Sequence, residues 1–233
     1  MDTKRNRDER ANESAVYLRK TEAGLALVAD GLELVPDFSH MAKRIRQDRL
    51  SKELLVRAAR VRGVGNEPLA VDATAGLGED SLLLAAAGFR VILYESASTI
   101  AALLRDSLQR AADDPLLTRA VARMELREGD SVEGLLCMGN LPQDELPDVV
   151  YLDPMFPERR KSAAVKKKFQ LIHHLERPCT NEKELFDAAM VARPRKVVVK
   201  RPVKGPWLAG AKPSHSLAGK AVRYDCYVMA KRS

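Results

Sequence analysis

The sequence predicts an α/β fold with a doubly wound, mainly parallel sheet and a small N-terminal extension. From Pro68 onward, short apolar segments alternate with segments of helical spacing. A glycine-containing turn follows the first apolar segment, and acidic residues follow several others. Strands that alternate with helices form right-handed crossovers and a parallel sheet, which binds ligands beyond the carboxyl ends of its strands. We therefore expect a functional site at that edge of the sheet.

Residues 1–65 are predicted to form a basic N-terminal extension. Residues 1–20 are polar and charged, so this end of the chain is expected to be frayed. Two apolar segments, 25–28 and 32–35, flank Asp30-Gly31, a pair that favours the positive φ angles of a tight turn. They predict a β-hairpin.

A basic amphipathic helix is predicted over residues 39–61, because apolar side chains recur there at helical spacing. Gly63 and Gly65 are expected to end it.

The main domain is predicted over residues 66–233. Its strands are apolar segments bounded by turns; they are Leu69–Asp72, Arg90–Glu95, Met124–Arg127, Val149–Leu152, Lys196–Lys200 and Ala221–Met229. Its helices are predicted at 80–87, 101–111 and 131–137.

Composition and charge exclude some classes and favour others. Hydrophobic residues make up 45% of the chain, enough for an ordinary core, and the net charge is +7. No stretch approaches the ~20 apolar residues of a membrane span, and no apolar segment follows the charged start as in a signal peptide. We therefore expect a cytoplasmic protein without a membrane partner.

Three basic clusters flank the expected site and favour a phosphate-binding surface. The first covers residues 43–62. The other two contain Arg159, Arg160, Lys161, Lys166, Lys167 and Lys168, and then Arg193, Arg195, Lys196, Lys200, Arg201 and Lys204. Solvated helix faces are the alternative interpretation for any single cluster.

No metal site is predicted. Cys137, Cys179 and Cys226 lie far apart without metal-type spacing. His173 and His174 are neighbours, which point to different sides of a helix and would not converge on one ion.

The first motif is the strand, turn and helix around Asp72, Gly76, Gly78 and Asp80. Glycines let the backbone turn sharply and lie against a ligand, and the following helix offers unpaired N–H groups. A dinucleotide site is the chemical alternative, but Ser81 occupies the third glycine position of that fingerprint.

The second motif is Glu95 at the end of the next strand. A carboxylate there accepts hydrogen bonds from both ribose hydroxyls, as in nucleotide-binding folds. Asp130 and Ser131 follow the third strand, where an adenine edge would lie.

The third motif is Asp153-Pro154-Met155-Phe156-Pro157, directly after a strong strand. The two prolines predict a rigid turn that holds Asp153 and nearby carbonyls at the mouth of the site. Such acceptors would orient an exocyclic amine, whose lone pair is otherwise delocalised into its aromatic ring. Phe156 would supply a face on which a flipped base stacks. We therefore predict catalytic roles for Asp153, Pro154 and Phe156.

These motifs together resemble the ribosomal RNA small-subunit methyltransferase J family over roughly residues 68–230. The segments Asp72–Asp80 and Tyr151–Pro157, Lys161–Lys167, Val197–Pro202 and Arg223–Asp225 follow the family's order. The resemblance implies a class I methyltransferase that uses S-adenosylmethionine to methylate a guanine N2 amine in small-subunit ribosomal RNA.

The resemblance also implies which residues line the methyl-donor pocket. They are Glu79, Asp80, Glu95, Ser96, Asp130, Ser131 and Asp153, in addition to Asp72, Gly76 and Gly78 from the turn. The partner is then ribosomal RNA or the small ribosomal subunit, with Arg159, Arg160, Lys161, Lys166, Lys167, Lys200 and Arg201 as RNA-binding residues.

Three alternatives remain open at this point. The chain could methylate another nucleic-acid or protein amine, could be a nicotinamide-dependent oxidoreductase, or could bind RNA without turnover. The glycine- and proline-containing stretch 202–220 is expected to be a mobile flap. Its Trp207 either stacks on a base or packs on the sheet edge.

Overall fold

Two β-sheets organise the residues that the computed structural model describes, which are 16–29, 31–154 and 181–230. The large sheet has seven strands in the order β6-β5-β4-β7-β8-β10-β9. Its strands are β4 (Leu69–Asp72), β5 (Arg90–Glu95), β6 (Met124–Glu128), β7 (Val149–Leu152), β8 (Lys196–Pro202), β9 (His215–Ala218) and β10 (Val222–Val228). Strands β4 to β8 pair in parallel, whereas β10 runs antiparallel to both β8 and β9.

The seven helices of the described ranges are numbered in chain order. They are α1 (Gln47–Leu50), α2 (Leu54–Ala59), α3 (Glu79–Ala86), α4 (Ser98–Ala112), α5 (Thr118–Val121), α6 (Ser131–Met138) and α7 (Glu182–Val191).

The central strands β4 and β7 are buried along their whole length, because helices cover both faces of the sheet. One core layer contains Leu82 and Leu104, and the other contains Leu135 and Phe186. The predicted doubly wound, mainly parallel fold is therefore confirmed. Strand order reverses between β4 and β7, and such a reversal opens a ligand crevice at the carboxyl ends of these strands.

The small sheet belongs to the N-terminal region and contains β1 (Tyr17–Thr21), β2 (Gly24–Ala29) and β3 (Leu32–Leu34). β2 and β3 form the hairpin that Asp30-Gly31 predicts. β1 corrects the expectation of a frayed end, since residues 17–21 pair with β2. Leu27 and Leu34 pack on Leu103 of α4, which gives this sheet its own apolar contact.

The predicted helix over 39–61 is wrong. The segment contains a 3-10 turn at Ser39–Met41 and the short helices α1 and α2, with extended backbone at Arg46, Glu53 and Arg60. Within α2 the helical spacing holds, since Leu55, Val56, Ala58 and Ala59 are buried on one face and Arg57 is exposed. The extended residues Arg46 and Glu53 interrupt the single helix that the spacing predicts.

Polar contacts also fix the N-terminal region against the large sheet. Lys196 of β8 donates from Nζ to the carbonyl oxygens of Ala58 (2.9 Å) and Arg60 (2.5 Å) at the end of α2. On α4, Asp106 accepts from the Leu25 N–H at 3.0 Å, and Ser107 donates to the Pro36 carbonyl at 3.1 Å. The extension is thus held against β8 and α4, and its Phe38 and His40 lie beside Gly78 and Glu79.

The 202–220 stretch is more regular than predicted. Its chain contains a 3-10 turn at Leu208–Gly210 and strand β9, which pairs with β10. The sequence does not indicate β9, because three of its four residues are exposed and lack apolar alternation.

Candidate active site

The glycine turn connects the carboxyl end of β4 to the start of α3. Gly76 and Gly78 adopt left-handed backbone conformations, with φ values of 52° and 77°. A Cβ at Gly78 would lie 2.8 Å from Leu104 Cδ1, so both conformation and space require glycine there. The turn therefore lies directly against apolar side chains at the point where α3 begins.

Asp72 is the buried anchor of this turn. Its Oδ2 accepts from the Ser81 hydroxyl at 2.5 Å and its Oδ1 from the Thr74 N–H at 3.1 Å. Burial raises the pKa of Asp72 to about 7, and the nearby Asp80 and Asp153 carboxylates also raise it. Ser81, which breaks the dinucleotide fingerprint, here orients Asp72.

Glu95 lies at the end of β5 and links two loops. Its Oε2 accepts from the Gly76 N–H at 3.0 Å, and its Oε1 accepts from the Ala97 N–H at 2.8 Å. Burial raises the pKa of Glu95, and backbone donors oppose that rise. Because a carboxylate has about four acceptor sites, it retains capacity for ribose hydroxyls.

The remaining residues assigned to the methyl donor lie at neighbouring positions of the same edge. Ser96 is exposed directly after β5, and Asp130 is exposed after β6, where it caps α6 by accepting from the Val132 N–H at 2.8 Å. Ser131 is the first residue of α6. Glu79 begins α3 and lies 3.2 Å from His40 Nε2 of the extension.

Asp153 follows β7 and belongs to a polar network across the crevice. Its N–H donates to Thr74 Oγ1 at 2.7 Å, and its Oδ2 accepts from Lys200 Nζ at 2.8 Å. The same Nζ donates to Asp80 Oδ2 at 2.7 Å, which also accepts from the Tyr151 hydroxyl at 2.6 Å. The network thus joins β4, β7, β8 and α3 at one position.

The charges of this network influence each other. Burial raises the pKa of Asp153, Lys200 opposes that rise, and Asp80 adds to it. Burial alone would lower the pKa of Lys200, but Asp80 and Asp153 raise it well above its usual value. The pKa of Tyr151 is raised by burial and by the same two carboxylates, so its hydroxyl acts as a donor.

The structure revises the third basic cluster. Arg201 has no exposed side-chain area; it donates to Glu182 and to the Pro206 carbonyl, each at 3.0 Å. Lys200 contacts the two carboxylates of the network. Lys196 is buried, and Arg195 pairs with Asp148 at 2.9 Å. Assigning Arg201 to an RNA-binding surface is therefore wrong, because its guanidinium is held inside the protein. The assignment of Lys200, whose side chain is 25% exposed, stays a prediction.

Several predicted residues lie outside the described ranges. They are Phe156, Arg159, Arg160, Lys161, Lys166 and Lys167, together with Lys168, His173, His174 and Cys179. Pro154, the last described residue before them, is buried.

Arg223 and Asp225 form a buried ion pair that the sequence does not single out as part of the site. Arg223 contacts Asp225 through Nε at 2.9 Å and through Nη2 at 3.0 Å. Its Nη1 donates to the carbonyls of Pro202, Val203 and Gly205 at 2.8–2.9 Å. The pair therefore fixes the turn that follows β8.

Trp207 lies just beyond this turn with 42% of its surface exposed. The neighbouring Leu208 is fully buried and anchors the segment. The indole therefore presents much of its surface to solvent, near the carboxyl end of β8.

The described residues contain neither a cluster of metal-ligating side chains nor a membrane-spanning helix. Within 16–29, 31–154 and 181–230, no group of three or more metal-ligating side chains converges. No helix in these ranges is long and apolar enough to cross a bilayer.

Comparisons with known proteins agree with this architecture. Residues 4–229 match the family described as "Putative SAM-dependent methyltransferase". A crystal structure of a SAM-dependent methyltransferase from Neisseria gonorrhoeae is similar with a TM-score of 0.74 and 31% identity, over 97% of this chain and 92% of that one. The fold and the site therefore define a class I methyltransferase.

Related proteins with curated names define the family more specifically. Ribosomal RNA small subunit methyltransferase J of Thioalkalivibrio sulfidiphilus is 44% identical over 78% of this chain and 71% of its own length. The protein of that name from Neisseria gonorrhoeae is 38% identical over 88% and 80%. Other relatives of that name are matched over 61–65% of their own length. The chain belongs to the ribosomal RNA small subunit methyltransferase J family of S-adenosylmethionine-dependent methyltransferases.

The residues of the crevice fit S-adenosylmethionine. Among the described residues of the crevice, the buried carboxylates Asp72 and Glu95 and the partly buried Asp80 and Asp153 outnumber the ammonium group of Lys200. This excess of acidic groups suits a ligand that carries a sulfonium and an ammonium group. The left-handed turn at Gly76 and Gly78 supplies the close backbone approach that an adenosine ligand needs.

Proposed function

We propose that this protein transfers a methyl group from S-adenosylmethionine to the exocyclic N2 amine of a guanine in small-subunit (16S) ribosomal RNA. The relatives named above carry the activity on small-subunit ribosomal RNA in their names. The observation that carries the chemistry is Asp153, whose backbone and carboxylate are both held by hydrogen bonds at the mouth of the crevice.

Asp153 would act on the amine and not on the donor's methyl group. When bound, S-adenosylmethionine supplies an electrophilic methyl group, so activation of the amine is the protein's task. The Asp153 carboxylate accepts from Lys200 through Oδ2, and its Oδ1 has no hydrogen-bond partner among the described side chains and backbone. An acceptor held in this way orients the amine N–H groups and stabilises the positive charge that develops on nitrogen.

S-adenosylmethionine would be bound at the carboxyl ends of the strands of the large sheet. We assign this role to Asp72, Gly76, Gly78, Glu79, Asp80, Glu95, Ser96, Asp130, Ser131 and Asp153. Pro154 would stiffen the turn, and Phe156 remains a predicted stacking residue.

RNA binding would involve the turn after β8. Arg223 holds this turn, Trp207 is exposed beside it, and Lys204 is exposed within it. An exposed indole on a segment that also carries an exposed lysine is suited to stack on an unpaired base. A cytoplasmic location follows from this substrate and remains a prediction.

Trp207→Ala is expected to raise the KM for RNA about 5- to 150-fold, since base–aromatic stacking contributes roughly 1–3 kcal/mol. Affinity for S-adenosylhomocysteine should stay unchanged, and Trp207→Phe should retain part of the binding. Leu116→Ala is the matched control, because Leu116 is an exposed apolar residue, at 70%, between α4 and α5. An unchanged KM in Trp207→Ala would remove this residue from the RNA surface.

Purified protein tests the proposed function directly. It is incubated with methyl-labelled S-adenosylmethionine and either naked small-subunit ribosomal RNA or assembled small subunits, followed by nucleoside mass spectrometry. We expect label in N2-methylguanosine. Label in another nucleoside or in a ribosomal protein would contradict the proposed substrate while retaining the methyltransferase class.

A further inference from the structure

One ammonium group joins two acidic side chains of the crevice. Lys200 Nζ lies 2.7 Å from Asp80 Oδ2 and 2.8 Å from Asp153 Oδ2. The exposed side-chain fractions are 25% for Lys200, 20% for Asp80 and 37% for Asp153, so water screens these charges only in part. Lys200 is therefore the link between the helix that begins the donor pocket and the turn that carries Asp153.

The two carboxylates depend on this cation. Both accept from the same nitrogen, so without it they would face each other across a narrow gap, with the buried Asp72 close behind. Like charges at such separation favour protonation of one carboxyl group. A protonated Asp153 would lose much of its strength as an acceptor for an amine N–H.

Among the described residues, no neighbouring cation is placed to substitute for Lys200. The Arg201 guanidinium contacts Glu182 and the Pro206 carbonyl, and Arg44 of the extension forms two hydrogen bonds with Glu53, at 2.9 and 3.0 Å. Both arginines act on the network only at longer range.

We propose that Lys200 is a positioning residue, which keeps the Asp153 carboxylate ionised and fixed while leaving its second oxygen to the amine. This inference rests on the proposed function, in which Asp153 is the acceptor. It gives Lys200 a role in the reaction in place of the RNA contact that the sequence predicts.

Other charged or titratable groups also face Asp153 or Asp80 and enter any pH dependence. They are Asp72 of β4, Glu79 of α3, Tyr151 of β7, Arg201 of β8, Tyr224 of β10 and Arg44 of the extension. Burial, followed by Asp80, raises the pKa of Tyr224 well above its usual value, so this phenol stays neutral over the relevant range. Within the part of the chain that the structure describes, Lys200 is the cation in direct contact with both carboxylates.

The sign of the pH effect follows from these contacts. Activity needs ionised Asp153, so it is lost as pH falls through the pKa of that carboxyl group. Lys200 lowers this pKa, and its removal should raise it, because a close opposite charge favours the ionised carboxylate. The acid limb of the pH–rate profile, where kcat falls as the pH decreases, then moves to higher pH.

The kinetic experiment compares wild type, Lys200→Met, Lys200→Arg and Lys183→Met. We expect Lys200→Met to lower kcat at pH 7 about tenfold or more, with partial recovery at high pH and little change in the KM for RNA. Lys200→Arg keeps the charge with a different geometry and should restore much of the acid limb. Lys183→Met removes an exposed lysine that is also paired with a carboxylate, Asp187, and should match wild type.

A second measurement needs no RNA and no methyl donor. Carbon-13 aspartate labelling follows the carboxyl titration of Asp153 by NMR in the folded protein, with Asp153→Asn to assign the resonance. Lys200→Met should shift this titration upward, while Lys200→Arg should not. An unchanged titration in Lys200→Met, or an equal loss of kcat at every pH, would overturn the inference. Shifted titration in a protein that methylates no guanine would instead reject the proposed function alone.

Discussion

Asp153→Asn is expected to lower kcat by about 10²- to 10³-fold, the usual cost of losing one preorganised electrostatic contact to a transition state. Asparagine preserves the side-chain shape and the N–H bond to Thr74 Oγ1 but removes the negative charge. The amine would then lose the acceptor that orients its lone pair and stabilises its developing charge. Single-turnover methylation of small-subunit ribosomal RNA measures this effect.

Donor binding separates this role from general damage to the pocket. Calorimetry with S-adenosylhomocysteine should show a change of less than about tenfold in Asp153→Asn, because backbone groups and Glu95 would hold most of the ligand. Asp187→Asn is the matched control, since Asp187 is an exposed carboxylate on α7 that pairs with Lys183. Full turnover in Asp153→Asn would contradict the assigned role.

Asp225→Asn is expected to lower the free energy of unfolding by about 3–5 kcal/mol, the range for breaking a buried ion pair. The Asp225 side chain has no exposed area and that of Arg223 is 10% exposed. Without the carboxylate charge, the Arg223 guanidinium would stay buried without its counter-ion, and an amide nitrogen would replace the oxygen that accepts from Nη2.

Chemical denaturation measures this effect, provided that the transition is two-state. Asp187→Asn again serves as the control and should change the free energy of unfolding by at most about 1 kcal/mol, as expected for an exposed pair. A loss of less than about 1 kcal/mol in Asp225→Asn would show that the Arg223–Asp225 pair does not hold the turn after β8.

The central strands were predictable because burial on both faces demands continuous apolar segments. β4, β5 and β7 have the predicted bounds for this reason. The edge strands β1 and β9 escaped prediction, since an exposed strand needs no apolar pattern. The helix predicted over 39–61 failed because spacing along the chain does not report where the core lies.

Part of the candidate site could also be predicted from the sequence. Asp72, Glu95 and Asp153 each follow a strand, so the topology places them at one edge of the sheet. Arg201 was misjudged because a run of cations resembles a solvated surface, while its carboxylate partner Glu182 is distant in sequence. The alternation of inward and outward residues along β8 was the available signal, since it cannot leave adjacent cations on one face.

Nucleoside mass spectrometry of ribosomal RNA from cells that lack this protein tests the central claim most directly. The deletion strain is complemented with a gene for either the wild-type protein or the Asp153→Asn variant. We expect one N2-methylguanosine of the small-subunit RNA to disappear, to return with wild type and to stay absent with the variant. An unchanged nucleoside profile in the deletion strain, or full recovery with Asp153→Asn, would contradict the account.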